Sequence, residues 1–514
     1  MKKTLSIIHY SLFILIIITL SFCSNTGPQT GSLSGTVQLE DQSDHSCIVI
    51  GIYELAELDP DIVDANQKWP HIGVIINQMT EFDHRFGTLV KTGETDASGY
   101  FEIKDIPTGV YNVVAIKDSF GFRYIYNAQI NDGNNELSAK NKDKRSKIKS
   151  ENSTDVLNLS SLVFDLNNRT SDLTLFPETI ISSDISTPTT WQSDHHYIIE
   201  RDIIVDDEIT IEPGAVIRLN DRVKLTINGD LTADGRVDNF IWFTSNDSIF
   251  SSSVFRFPSP VSLYEYKTIE LDGTLNKEVA YCKFDHAGTG LLSKVNGFEI
   301  SDCIFRESNC GFKAEDVDST FCSNLLCENI TGESEGGIYF GSSVDGGNIK
   351  NNVCSNCVNG IKIYNHSNPE VKNNYIVNCN TGIDISYYSS PNIKNNEINF
   401  CVIGIKNHLY NESFTIEKNN FNCTIGIKSL SHISNPINVH YNNFNCENYA
   451  VSLGSDSFNI YFENNYFYTI NEDEIQELIY DKNDVEGPNQ QYYGIVNYIP
   501  FLTQEYKYAG IEEE

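Results

Sequence analysis

Between Gly337 and Gly426 the chain repeats one short pattern every 22 or 23 residues, and that period limits what the segment can fold into. The copies read NNVCSNCVNGIKI from Asn351, NNYIVNCNTGIDI from Asn373, NNEINFCVIGIKN from Asn395 and NNFNCTIGIKS from Asn419, with a degenerate NNFNCENYAVS from Asn442. Gly337, Gly360, Gly382 and Gly404 stand 23, 22 and 22 residues apart, and Gly290 and Gly311 carry the ladder backwards with less regular steps. A fixed period of this length is the signature of a solenoid. Each copy is too short for a helical hairpin, alternates apolar residues at Ile361/Ile363 and Ile383/Ile385, and has no run at helical spacing. One β coil per repeat follows.

Stacked parallel strands place each residue about 4.8 Å from its counterpart one coil away, so identical residues form columns along the axis. Asn352, Asn374, Asn396, Asn420, Asn443 and Asn465 are expected to form an amide ladder at a tight turn, where Asn tolerates left-handed backbone geometry. Cys357, Cys379, Cys401, Cys423 and Cys446 form a second column, facing the core as small apolar side chains. These repeats resemble the right-handed parallel β-helix family, the fold shared by pectate lyases, polygalacturonases and NosD-like surface proteins. The entry coils are similar too: Ile209 to Ile217 carries a Pro213-Gly214 turn, and Leu225 to Leu231 adds another short strand. The fold class implied is all-β, a right-handed parallel β-helix preceded by a small β-sandwich.

The sandwich is read from Ser34-Gly35-Thr36-Val37, the Asp96 to Ile103 turn and strand, and Ile106-Pro107-Thr108-Gly109 leading to Tyr111 and Val113. Those residues resemble the carboxypeptidase regulatory-like domain of transthyretin type, an accessory domain without catalytic residues. At the N-terminus Lys2 and Lys3 precede an apolar run from Leu12 to Leu20 and then Cys23, which resembles a bacterial lipoprotein signal with Cys23 lipidated, although Phe22 departs from the small residue usual there. The organisation expected is residues 1–23 as signal and anchor, 31–135 as sandwich, 136–190 as polar linker and joining strand, 191–502 as the β-helix with capping ends, and 503–514 as an acidic tail. Lysines 140, 142, 144, 147 and 149 mark the linker as a solvated stretch.

Thirteen cysteines in an exported chain would ordinarily suggest disulfides. Cysteines that recur with the repeat instead occupy one inward position many times, as free thiols. The Cys354-x-x-Cys357 pair has no second pair at zinc spacing. With 36 basic against 70 acidic residues the net charge is −34, which argues against nucleic acid as a partner. No arginine follows Arg306. Membrane contact is expected through the N-terminal anchor only.

No catalytic constellation, metal site or cofactor motif is identified. Gly332-Glu333-Ser334-Glu335-Gly336 matches a nucleophile elbow in letters, but that turn needs a helix to follow it. The outward position two residues after the ladder glycines runs Tyr339, Lys362, Asp384, Lys406, Lys428, a cross-strand ion ladder. Six residues after the glycines come His366, Tyr388, Tyr410 and His432, which in register form a strip of flat rings suited to stack on sugar rings. The bland reading is that repeat copies stack like on like to cover the coil corner. The sequence therefore points to an exported envelope or cell-surface lipoprotein with a non-catalytic role in binding a polysaccharide or surface protein. A polysaccharide lyase or hydrolase on the same fold and a purely structural spacer are the alternatives.

Overall fold

A computed structural model describes residues 29–137, 173–246, 268–273, 276–408, 411, 413–430, 437–455 and 457–512. From Thr179 onward the chain winds into three parallel sheets of 13, 12 and 12 strands, each coil adding one strand to each. Sheet I holds strands such as Glu370–Lys372 and Asn392–Lys394, sheet II Tyr375–Val377 and Glu397–Asn399, and sheet III Asn359–Tyr364 and Thr381–Ser386. The coil interior is one continuous apolar core. Ile361, Ile363, Ile383 and Ile385 are fully buried in it, and so are the thiols of Cys357, Cys379, Cys401 and Cys423, with Cys446 half-buried. No cysteine among the described residues is in a disulfide. Ring columns fill the same space, as in Phe243, Phe284 and Phe305 stacked at 4.9 and 4.8 Å.

The amide ladder exists with two members changed. It runs Asn352, Asn374, Asn396, Asn419, Asn442, Asn465, each side-chain oxygen accepting both the backbone N–H and the amide of the preceding member at 2.8–3.0 Å. Asn420 and Asn443, the expected members, belong instead to sheet II strands. Nor is the ladder residue itself left-handed; the residue before it is, at Asn351, Asn373, Asn395, Lys418, Tyr441 and Asn464.

The N-terminal domain is a sandwich of two four-stranded sheets. One contains Thr30–Leu39 and Tyr100–Pro107, the other Val49–Tyr53 and Gly109–Lys117. Past the linker the chain serves both bodies in turn, since Leu173–Leu175 pairs with Thr30–Leu39 and Thr179–Ile181 joins sheet II. The sandwich also carries an insertion, residues 54–88, with helices α1 (Pro60–Lys68) and α2 (Gln78–Glu81). Asp59 caps α1 and Pro60 opens it, a start in which proline gives up no needed N–H.

That insertion lies on the outer face of sheet II. Ile62, Ala65, Trp69 and Ile72 pack against Ile304, Leu326, Val353, Tyr375 and Val377. Phe82 and Phe122 meet Val216 and Trp242 further along. Beyond the insertion the C-terminal segment takes over: Tyr506 exchanges hydrogen bonds with the Asn443 side chain, Asn395 donates to the Tyr508 and Gly510 carbonyls, and Ile511 joins the cluster around Trp69. Sheet II is thus covered on its outer side along much of its length.

Candidate recognition face

Among the described residues sheet III carries no such cover, and its outer face is where the ring strip lies. Three successive coils leave sheet III through a turn with two successive left-handed residues, Ser342-Ser343, Asn365-His366 and Tyr387-Tyr388. The next residue locks the turn. Ser367 and Ser389 are buried, donate back to the Tyr364 and Ser386 carbonyls at 2.8 and 3.0 Å, and accept the backbone N–H of Val344 and Ser367 from the preceding coil. The backbone ladder continues through the turn, with His366 N–H donating to the Tyr387 carbonyl at 2.9 Å.

The His366 and Tyr388 rings, projecting from this locked turn, stack at 5.0 Å with 6° between their planes. Both are exposed, Tyr388 at 41%. Tyr410 and His432, the other two members expected, lie outside the described residues. A second line of rings, not anticipated from the repeat, runs beside the first: Tyr339 to Tyr364 at 6.3 Å and Tyr364 to Tyr387 at 4.9 Å. Its signal was present in the Tyr387-Tyr388 pair, but these rings fall at different offsets from their glycines and so form no column in the sequence.

The charged column is in register, Tyr339 beside Lys362, then Asp384, Lys406 and Lys428. Asp384 is buried and accepts a hydrogen bond from His408 Nε2 at 2.8 Å, with the Lys362 and Lys406 ammonium groups each 3.8 Å away. Burial pushes this carboxyl up, but His408 and the two lysines outweigh burial and hold it below its ordinary value. Further along, Lys313 reaches Glu315 at 3.0 Å and Glu335 at 3.4 Å and sits 4.6 Å over the Tyr339 ring.

A different group of polar residues meets where the insertion contacts sheet II. Asp83, Asp285 and His286 bring ligand-type atoms within 4.8 Å of one another. Both carboxylates are already matched by cations and donors. Arg85 forks onto Asp83 at 2.6–3.0 Å, while Asp285 accepts from Trp242 Nε1 at 2.7 Å and has Lys283 at 3.5 Å. The Gly332 to Gly336 segment is a turn that leads into strand Ile338–Gly341, with no helix after it.

A family model described as periplasmic copper-binding protein (NosD) matches residues 243–438, the central coils of the solenoid. No curated protein and no solved structure matches the chain.

Proposed function

We propose that this protein is an exported, non-catalytic recognition module of the cell envelope, which presents the sheet III ring strip to an extended glycan. The observation that carries this reading is the conformation of Tyr387 and Tyr388. A left-handed backbone disfavours residues with a Cβ by about 1–2 kcal/mol, and glycine or asparagine would relieve that cost. The two tyrosines hold it while 37% and 41% of their surface stays exposed, so each keeps part of its ring open to a ligand. Strained bulky residues held outward by a hydrogen-bonded turn are what a stacking platform requires.

The periplasmic description of the matching family supports export, as does the N-terminal signal pattern, and we place the anchor at Cys23, outside the described residues. Among the described residues no helix is long and apolar enough to cross a membrane. The copper of that family's name does not fit the donors this chain offers. The thiols of Cys357 and Cys379 are buried and donate to main-chain carbonyls, Cys357 to Ser355 at 3.3 Å and Cys379 to Val377 at 3.4 Å, so they are not open to an incoming ion. In the Asp83, Asp285 and His286 group, a copper ion would have to displace Arg85 and Lys283 from hard carboxylates.

A glycan array with Tyr388→Ala as control tests the reading. Retention of a β-linked oligosaccharide by the parent, weakened about tenfold or more in the variant at unchanged melting temperature, is the expected result. New reducing ends released from any bound polysaccharide would point instead to an enzyme, and silence across the array to a spacer.

A further inference from the structure

Between Lys362 and Lys428 the ion column on sheet III carries more ammonium groups than carboxylates. Several other lysines are matched: on sheet I Lys394 pairs with Glu370 at 2.5 Å and Lys372 with Glu512 at 2.6 Å, and further along sheet III Lys224 and Lys294 both reach Glu270 at 2.9 and 3.1 Å. In this stretch of the column the one carboxylate, Asp384, lies between the Lys362 and Lys406 ammonium groups and is also held by His408. Lys428 has no carboxylate partner among the described residues, and it stands directly in register with Lys406, one strand spacing away. Like charges in such positions destabilise a sheet. A scarcity of acids is not the reason, since the chain has 70 acidic residues to 36 basic.

This surplus of positive charge lies on the same face as the rings. Lys362 and Asp384 occupy the strands that end in the His366 and Tyr388 turns, and Lys406 and Lys428 occupy the next two coils. Both lysines are half-buried, their stems lying along the sheet. We propose that the face takes an anionic polysaccharide laid along the solenoid axis, with carboxylate or sulfate groups seated on Lys406 and Lys428 and sugar rings stacked on His366 and Tyr388. The inference rests on the recognition face proposed above and adds the charge of its ligand. Against a field of −34, a local cationic patch also selects the register in which a repetitive anionic chain settles.

Calorimetry on the full chain would use three probes, a hyaluronan hexasaccharide for carboxylate, a chondroitin sulfate hexasaccharide for sulfate, and chitohexaose as the neutral comparator. At least one acidic probe should bind tenfold or more tighter than chitohexaose, with affinity falling as salt rises. Which acidic probe is preferred identifies the anion. Lys406→Gln with Lys428→Gln should remove that preference and flatten the salt dependence while leaving the melting temperature within a few degrees. Binding of chitohexaose by the parent as tightly as the acidic probes, with no change of either in the lysine variant, would overturn the anionic inference and leave the ring platform standing. Undiminished acidic binding by Tyr387→Ala with Tyr388→Ala would do the reverse. Binding of none of the probes would overturn both.

Discussion

Left-handed turns, three in each of the coils that start at Asn351 and Asn373, decide much of what individual residues do. In the coils from 351, 373 and 395 the doubled asparagine divides the work, the first taking the left-handed turn and the second the ladder. In the next two coils Lys418 and Tyr441 take the turn, so the ladder passes to the first asparagine of the pair. The sequence carried this shift as a shorter step to the cysteine, four residues from Asn419 to Cys423 against five from Asn396 to Cys401. Aligning the letters NN hid it. Asn396 donates to Asn419, Val371 and Lys394 oxygens and accepts twice from Asn374, so Asn396→Leu orphans several buried groups at once. A loss of about 3 kcal/mol or more is expected in urea denaturation, whereas Asn420→Leu should cost far less. At Tyr388, whose φ is 62°, the Gly variant should be more stable than the Ala variant by about 1 kcal/mol, reversing the usual order. An Ala variant as stable as Gly would mean that the turn is not left-handed in solution.

At the scale of elements, the difference between sheets was written in their alternation. Strands of sheet I read Glu370-Val371-Lys372 and Asn392-Ile393-Lys394, apolar inward and polar outward. Strands of sheet II read Leu326-Cys327 and Tyr375-Ile376-Val377, apolar on both faces, the pattern of a sheet covered on both sides. Repeat period and strand alternation made the solenoid legible, whereas α1, which Asp59 caps and Pro60 opens, was not read from the sequence. The sequence could not show that α1 and α2 supply the cover, because nothing local pairs residue 69 with residue 375. The buried charges of this contact carry a clear expectation. Arg306 donates to the Thr80 carbonyl and to Glu81 at 2.6 and 2.7 Å, with Glu328 at 3.1 Å. Arg306→Ala would leave two carboxylates buried without it and should cost about 3–5 kcal/mol, seen as a lowered urea midpoint and earlier proteolysis in residues 54–88. Ile383→Asp, inside the coil, should be comparably damaging, because an unpaired carboxylate in the core costs several kcal/mol against a total of about 5–15.

For the molecule as a whole, the contact between sandwich and solenoid makes stability depend on pH through the groups it buries. Burial pushes His84 down to about 4, and burial reinforced by the Arg218 guanidinium pushes His196 down to about 3. Their ordinary value is 6.5, so below that pH the unfolded chain takes up protons that the folded chain refuses. Each histidine then removes about 1.4 kcal/mol of stability per pH unit as the solution is acidified. Glu328 works in the opposite sense. Burial pushes its carboxyl up to about 7 in spite of Arg306, helped by the nearby carboxylates of Glu81, Asp59 and Glu307. From its ordinary 4.5 to about 7 the folded chain holds the extra proton, so this group gives up stability as pH rises through that window. Between pH 6.5 and 4.5 these two histidines oppose one glutamate, and His286, also pushed down by burial, adds to them, so a net loss of about 1.4 kcal/mol per unit or more on acidification is expected. Glu328→Gln isolates the glutamate, since the amide is neutral at every pH and keeps the shape. The variant should gain about 1–3 kcal/mol over the parent at pH 8, where the parent bears the buried charge, and the gain should shrink to nothing by pH 4.5. Urea denaturation of both proteins at pH 5, 6, 7 and 8 reads the difference directly, with the surface carboxylates cancelling between them. A variant less stable than the parent at pH 8 would mean that the Arg306 pair outweighs the cost of burying Glu328 as a carboxylate.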